Sequence, residues 1–163
     1  SGDYLPAMLP GLLSPIREAL AGLSGTDAPI DVAVEFNRLA GVWSGACEVV
    51  IDGGRKLLAD LDNDPAIATA VVEIATELTS NAVRHGLASR VVITLDINAD
   101  GTMTITCVDN GTGMDSGRAG LGTLLLDRTA LTWNRTSSAH GAKVECSLPP
   151  PRPTRDASHA RLP

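Results

Sequence analysis

Aromatic residues are scarce in this sequence: two Trp, one Tyr and one Phe among 163 residues. That excludes a core built on stacked rings and leaves Val, Ile, Leu and Ala to fill the interior. Lysine is nearly missing too, since Lys56 and Lys143 stand alone and Arg supplies the remaining positive charge. The balance is acidic, with net charge −6 and a pI near 4.9. Such a charge argues against nucleic acid or an anionic membrane as the main partner. No apolar run approaches the roughly 18 residues of a membrane-spanning helix. No basic-then-apolar leader opens the chain either, so a cytoplasmic location is expected. Cysteines number three, Cys47, Cys107 and Cys146, with no CxxC spacing. They read as small buried hydrophobes in a reducing compartment rather than as a disulfide framework or metal site. Two nucleotide-binding patterns are also absent: there is no GxxxxGK[ST] P-loop, and no Rossmann fingerprint with its acidic residue after a parallel strand.

What remains is the composition of one ordinary domain, 44% hydrophobic and 20% charged, with length enough for a single core. Three segments are expected. Residues 1–30 read as the stump of a preceding helical element and a linker, broken by Pro6, Pro10 and Pro15. Residues 31–149 form the domain proper, and the proline-rich, polar stretch 150–163 reads as a disordered tail. Within the domain, 31–43 is expected to be a helix, although V-A-V-E-F at 32–36 leaves a strand open. Cys47, Val49 and Ile51 alternate as a half-buried strand that Gly53-Gly54 closes. The strongest helix spans 64–85, with Asp64 as cap, Pro65 in the first turn and Gly86 as stop. Its apolar stripe is Ile67, Val71, Ile74, Ala75, Leu78 and Ala82. Residues 90–97 alternate with Val91, Ile93, Leu95 and Ile97 on one face. The Asn98-Ala99-Asp100-Gly101 turn then leads into 102–108. A short helix at 121–130 precedes a second hairpin, 131–137 and 142–148. One-sided alternation of this kind calls for an α/β (α+β) two-layer sandwich. About five strands, mixed but mostly antiparallel, would carry helices on one face only.

Three clusters carry candidate chemistry. On the long helix, Glu73, Glu77, Asn81 and His85 recur every four residues and form one polar row. A solvated helix face would explain the row, but like charges four apart repel slightly, and Glu beside an Asn oxygen suits hydrated Mg²⁺. Asp109-Asn110-Gly111-Thr112-Gly113 follows a strand directly. It is good turn chemistry by itself; alternatively, Asp109 accepts from an adenine amino group while Gly111 and Gly113 let the ligand approach. Gly117 to Gly122 is glycine-rich backbone opening a helix, where free amides and the helix dipole suit phosphate.

Each cluster is weak alone, but their order resembles the GHKL superfamily of Bergerat-fold ATPases over roughly residues 46–149. E-L-T-S-N-A-V-R-H-G at 77–86 is similar to the N-box, and V-D-N-G-T-G at 108–113 to the first glycine box. G-L-G-T-L-L-L-D-R at 120–128 is similar to the second glycine box, and G-A-K-V-E-C-S-L-P at 141–149 to the closing strand. Within the superfamily the chain most resembles catalytic domains of sensor histidine kinases with a very short ATP lid, since only Met114 to Ala119 separate the glycine boxes. The resemblance implies ATP and Mg²⁺ as ligands. Asn81 would hold Mg²⁺ with Glu77 behind it, and Glu77 would be the catalytic carboxylate. His85 or Arg84 would meet phosphate. Asp109 would read adenine between Gly111 and Gly113, and Gly120, Leu121, Gly122 and Thr123 would bracket the phosphates. Such closing strands often carry Thr after the glycine to support the adenine-binding Asp; here the residue is Ala142, so a water substitutes or nucleotide affinity is weak.

On the same resemblance, the function is transfer of the ATP γ-phosphoryl group to a His on a dimerisation domain, for passage to a response regulator. The parent could be anchored in the cell membrane. His85, His140 and His159 fall in the N-box, a turn and the tail, so the acceptor is expected outside this chain. The alternative is an anti-sigma factor of the serine-kinase type, which binds a sigma factor and phosphorylates an anti-anti-sigma protein. A degenerate domain that binds a partner without nucleotide rests on Ala142 alone.

Overall fold

The computed structural model describes residues 30–112 and 121–154 of the chain. In chain order the elements are α1 (Val32–Trp43), β1 (Glu48–Gly53), α2 (Arg55–Asp62), α3 (Pro65–Arg84), β2 (Arg90–Ile97), β3 (Met103–Asp109), α4 (Leu121–Thr129), β4 (Thr132–Ser138) and β5 (Gly141–Leu148). One five-stranded sheet runs β1-β2-β3-β5-β4. β1 and β2 are parallel and the remaining pairs antiparallel. The parallel pair follows from the crossover through α2 and α3, which returns the chain to the same end of the sheet.

The four helices among the described residues pack on one face. α1 lies against β1 and α3, α3 crosses β2, β3 and β5, and α4 sits against α3 and β4. Val91, Ile93 and Leu95 of β2 pair in register with Asp109, Cys107 and Ile105 of β3, and the apolar members of both rows point into the core. From α3 come Ala68, Val71, Ile74, Ala75, Leu78 and Ala82, all buried. The fold is the two-layer sandwich expected from one-sided alternation. Among the described residues, no helix is long and apolar enough to cross a membrane.

Several local expectations need correction. Ile97 ends β2 at 49% exposure instead of joining the core. α2 is a helix not expected after Gly53-Gly54; Leu57 and Leu61 are buried on it, and Lys56 pairs with Asp60 one turn on at 2.8 Å. Asp64 occupies the N-cap position of α3, but its side chain caps nothing there. Its carboxylate accepts instead from the Arg152 amide at 3.0 Å. The expected tail is therefore not free from residue 150: Pro151 is buried and the backbone is held as far as Thr154. Residues 155–163 and the expected stump at 1–29 lie outside the described residues.

Candidate functional site

The polar row of α3 runs toward the C-terminal end of the helix. Glu73, Glu77 and Asn81 are half-buried there and His85, the C-cap residue, is exposed. Half burial on the rim of a core is where a side chain keeps its stem packed and its polar end available. Arg84 departs from the row. Its guanidinium carbon lies 5.9 Å from the Trp43 ring centroid, a cation–π contact with α1. Because α1 and α4 contact α3 separately, and α1 lies over β1 while α4 lies over the β4 edge, Arg84 is committed to the side away from α4.

The C-terminal end of α3 is laced to the loop after β3. The Thr112 amide donates to the Gly86 carbonyl at 2.7 Å, and the Asn110 amide to the Arg90 carbonyl at 3.2 Å. Asn110 Oδ1 accepts from both Ser89 and Arg90 amides, at 3.0 and 2.9 Å. These bonds fix the loop that follows Asp109 against the segment after α3. Its Oδ1 accepts from the Gly111 amide at 2.9 Å and, more loosely, from the Ala142 amide at 3.4 Å. Both amides reach the same oxygen, so among the described residues the carboxylate is held through Oδ1. Gly111 is buried, and a Cβ on it would overlap the Gly86 carbonyl oxygen. Its lack of a side chain thus lets two backbone segments touch, where the sequence suggested room for a ligand. Gly141 has φ +139°, and a Cβ there would overlap the Asp109 carbonyl oxygen, so the hairpin turn also depends on glycine to reach Asp109.

A cavity of about 280 Å³ opens at this end of the sheet, lined among others by Asp109, Ser137, His140, Gly141 and Ala142. A larger one, about 500 Å³, lies by Cys47 and Ser89 near β1 and includes none of the predicted site residues; of those residues the smaller one includes Asp109 alone. Ser137 and His140 are not among the site residues expected from the sequence, although hairpin register would have found the first. Asp109 pairs with Ala142, and Ala142 with Ser137, so the three share one row of the sheet. Gly113 and Gly120 lie outside the described residues, while Leu121, Gly122 and Thr123 open α4.

The surrounding thiols are inert. Burial first, then the Asp109 charge, pushes Cys107 up to about 12, and burial pushes Cys146 up to about 11. Cys47 is raised as well, by burial and then by Asp109 and Glu48. All three cysteines are free and buried. Among the described residues, no group of three or more His, Cys, Asp or Glu could close around a metal. Asn81 and Glu77 fit a different kind of site. Mg²⁺ that arrives with a triphosphate needs only one or two protein oxygens, the rest of its shell being water and phosphate.

Residues 66–152, more than half of the chain, match the family described as histidine kinase-, DNA gyrase B- and HSP90-like ATPases. The chain belongs to this family. The matched segment runs from the first turn of α3 past β5 and is its ATP-binding domain. No curated protein sequence matches the chain. Solved structures share the fold. The blue-light activated histidine kinase of Erythrobacter litoralis, EL346, is 18% identical with a TM-score of 0.58, over 75% of this chain and 42% of that one. Full-length ShkA in complex with AMPPNP is 18% identical with a TM-score of 0.58, over 78% and 32%. The ATP binding domain of PrrB from Mycobacterium tuberculosis is 22% identical with a TM-score of 0.51, over 76% and 97%. The chain thus spans less than half the length of the two longer kinases and nearly all of the isolated ATP-binding domain.

Proposed function

We propose that this ATPase-family domain is the catalytic, ATP-binding part of a sensor histidine kinase. It would transfer the γ-phosphoryl group of ATP to a His on a dimerisation domain outside residues 31–149, and from there signalling would pass to a response regulator. The observation that carries the reading is Asp109, a carboxylate at a strand end whose Oδ1 accepts from two backbone amides and which lines a cavity at that end of the sheet. A carboxylate so fixed selects a ligand amino group, and the exocyclic amine of adenine is such a group. Support also comes from histidine kinases sharing the fold, one of them in complex with AMPPNP.

In this reading Asn81 holds Mg²⁺, which supplies neutralisation of phosphate charge, and Glu77 one turn earlier orients or deprotonates the nucleophile. His85 is the group assigned to phosphate, because Arg84 is engaged with Trp43. Gly113, Gly120 and the first residues of α4, Leu121 to Thr123, bracket the phosphates with backbone amides. Phosphoryl transfer is mostly positioning and charge stabilisation, so a domain can bind ATP without containing the acceptor. The place of action is the cytoplasm, where ATP is found.

Incubation with γ-labelled ATP and a supplied dimerisation domain tests the proposal. Acid-labile, base-stable label on the partner's His is the expected result, strongly reduced by Glu77→Gln while nucleotide binding persists. Label on serine of an anti-anti-sigma-like protein instead, or transfer by Glu77→Gln at the wild-type rate, would overturn it.

A further inference from the structure

Two of the three buried polar or charged side chains among the described residues, Asp60 and Asp64, lie far from Asp109 in the fold, at the corner between α2 and α3. Their occupant is the C-terminal segment Pro151-Arg152-Pro153-Thr154. Proline has no amide hydrogen, so this stretch has donors only at Arg152 and Thr154, and both are taken. The Arg152 amide donates to Asp64 Oδ2 at 3.0 Å, and the Thr154 amide to Asp60 Oδ1 at 2.8 Å. The Thr154 hydroxyl adds a bond to the same Oδ1 at 2.7 Å, and Asn63 Nδ2 reaches that hydroxyl at 3.5 Å. Pro151 is buried beside them.

Between the two carboxylates stands Asp62, which faces the other end of the domain. Its Oδ1 accepts from the Val32 amide at 2.9 Å, at the start of α1, and its carbonyl accepts from the Ile30 amide at 3.2 Å. Positions 60, 62 and 64 therefore hold exit, entrance and exit in turn. We propose that this corner is a binding site for an extended peptide whose amides alternate with prolines, occupied by residues 151–154 of the same chain, and that its occupancy holds the entrance of the domain in place. Without the strap, Asp64 would lose the Arg152 amide and guanidinium and Asp60 would keep only Lys56, at 2.8 Å, leaving two carboxylates short of donors in a packed corner, a costly arrangement. The corner would open to hydrate them, and Asp62 sits on the same five residues. Whatever pulls on residues preceding Ile30 would then be felt at the tail, and the reverse.

Amide hydrogen exchange on the full chain tests this. In the wild type, Arg152 and Thr154 amides should exchange well below the rate of an unstructured peptide. Arg152→Pro with Thr154→Pro keeps an extended backbone and deletes both amide donors, together with the Arg152 guanidinium 3.5 Å from Asp64 and the Thr154 hydroxyl. Losing hydrogen bonds to charged groups should then speed exchange of the Val32 amide by on the order of tenfold or more. Thr154→Ala, which keeps its amide, should have a much smaller effect. Unprotected Arg152 and Thr154 amides in the wild type would overturn the proposal even if the double variant did not fold. Unchanged Val32 exchange in a folded double variant would overturn the coupling.

Discussion

Adding a single methyl group at Gly111 should damage both the fold and the nucleotide site. The Cβ of Gly111→Ala would meet the Gly86 carbonyl oxygen, and both groups are backbone, so no rotamer change relieves the overlap. The loop has to retreat. That breaks the Thr112 amide bond to the Gly86 carbonyl at 2.7 Å and stretches the Gly111 amide bond to Asp109 Oδ1 at 2.9 Å. A neutral hydrogen bond contributes roughly 1 kcal/mol and one to a charged group about 1.5–3. Against this, Ala loses less backbone entropy than Gly on folding, an offset of up to about 1 kcal/mol. The net expectation is a loss of about 2–3 kcal/mol in urea unfolding, with weakened ATP binding in calorimetry. Gly41→Ala is the control: it lies within α1 with nothing within 4 Å of an added Cβ. Ala is the better helix former, so this variant should gain about 0.5–1 kcal/mol. An unfolding midpoint for Gly111→Ala equal to the wild type, with ATP binding intact, would refute the reasoning.

Acid should weaken the docked strap. Burial opposes ionisation of Asp60, yet bonds from Lys56 and from the Thr154 amide and hydroxyl outweigh it, and the carboxyl ends below its ordinary 3.8. A lowered folded value stabilises the ionised form, so its contribution is complete above the unfolded value and disappears as pH falls through the folded one. Lys56, Asp62, Asp64 and Arg152 surround it, and Asp60→Asn should flatten the stability–pH curve below about 4; a curve of unchanged slope would contradict this. Thr79, fully buried in α3 with an Oγ1 that has no partner, should tolerate Thr79→Val. Removing an unsatisfied hydroxyl is expected to be neutral or to raise stability by up to about 1 kcal/mol, and a clear loss of melting temperature would show that the hydroxyl is bonded in solution.

Much of this fold is legible because its signals are local. The long apolar stripe of α3, the Asn98–Gly101 turn and the strict alternation of β2 and β3 each dictate an element without reference to the rest of the chain. α2 is harder to see: it is eight residues long, and its N-cap is Gly54, which offers no side-chain bond. Leu57 and Leu61, one turn apart, are its only clue. The docking of the tail is not readable at all. The carboxylates that hold it, Asp64 and Asp60, lie 88 and 94 residues before their partners, beyond any local window. A proline-rich stretch with no visible partner reads as disorder. The site was legible as an order of motifs rather than as roles. The Gly86–Thr112 backbone bond ties the C-terminal end of α3 to the loop that follows Asp109. Arg84 reads like a phosphate ligand in sequence but is drawn to Trp43, a partner on a different helix that no local pattern reveals.

Calorimetry of Asp109→Asn against the wild type tests most directly the proposal that Asp109 recognises the base of ATP. Asn keeps an oxygen that can accept from the Gly111 and Ala142 amides, so the loop should survive and the unfolding midpoint should move little. Its NH₂ group, however, would face the adenine amino group donor to donor, leaving buried groups unpaired. The expected result is an affinity for ATP weaker by a factor of about ten or more, equivalent to about 1.4 kcal/mol or more. Wild-type affinity in a normally folded Asp109→Asn would contradict the account.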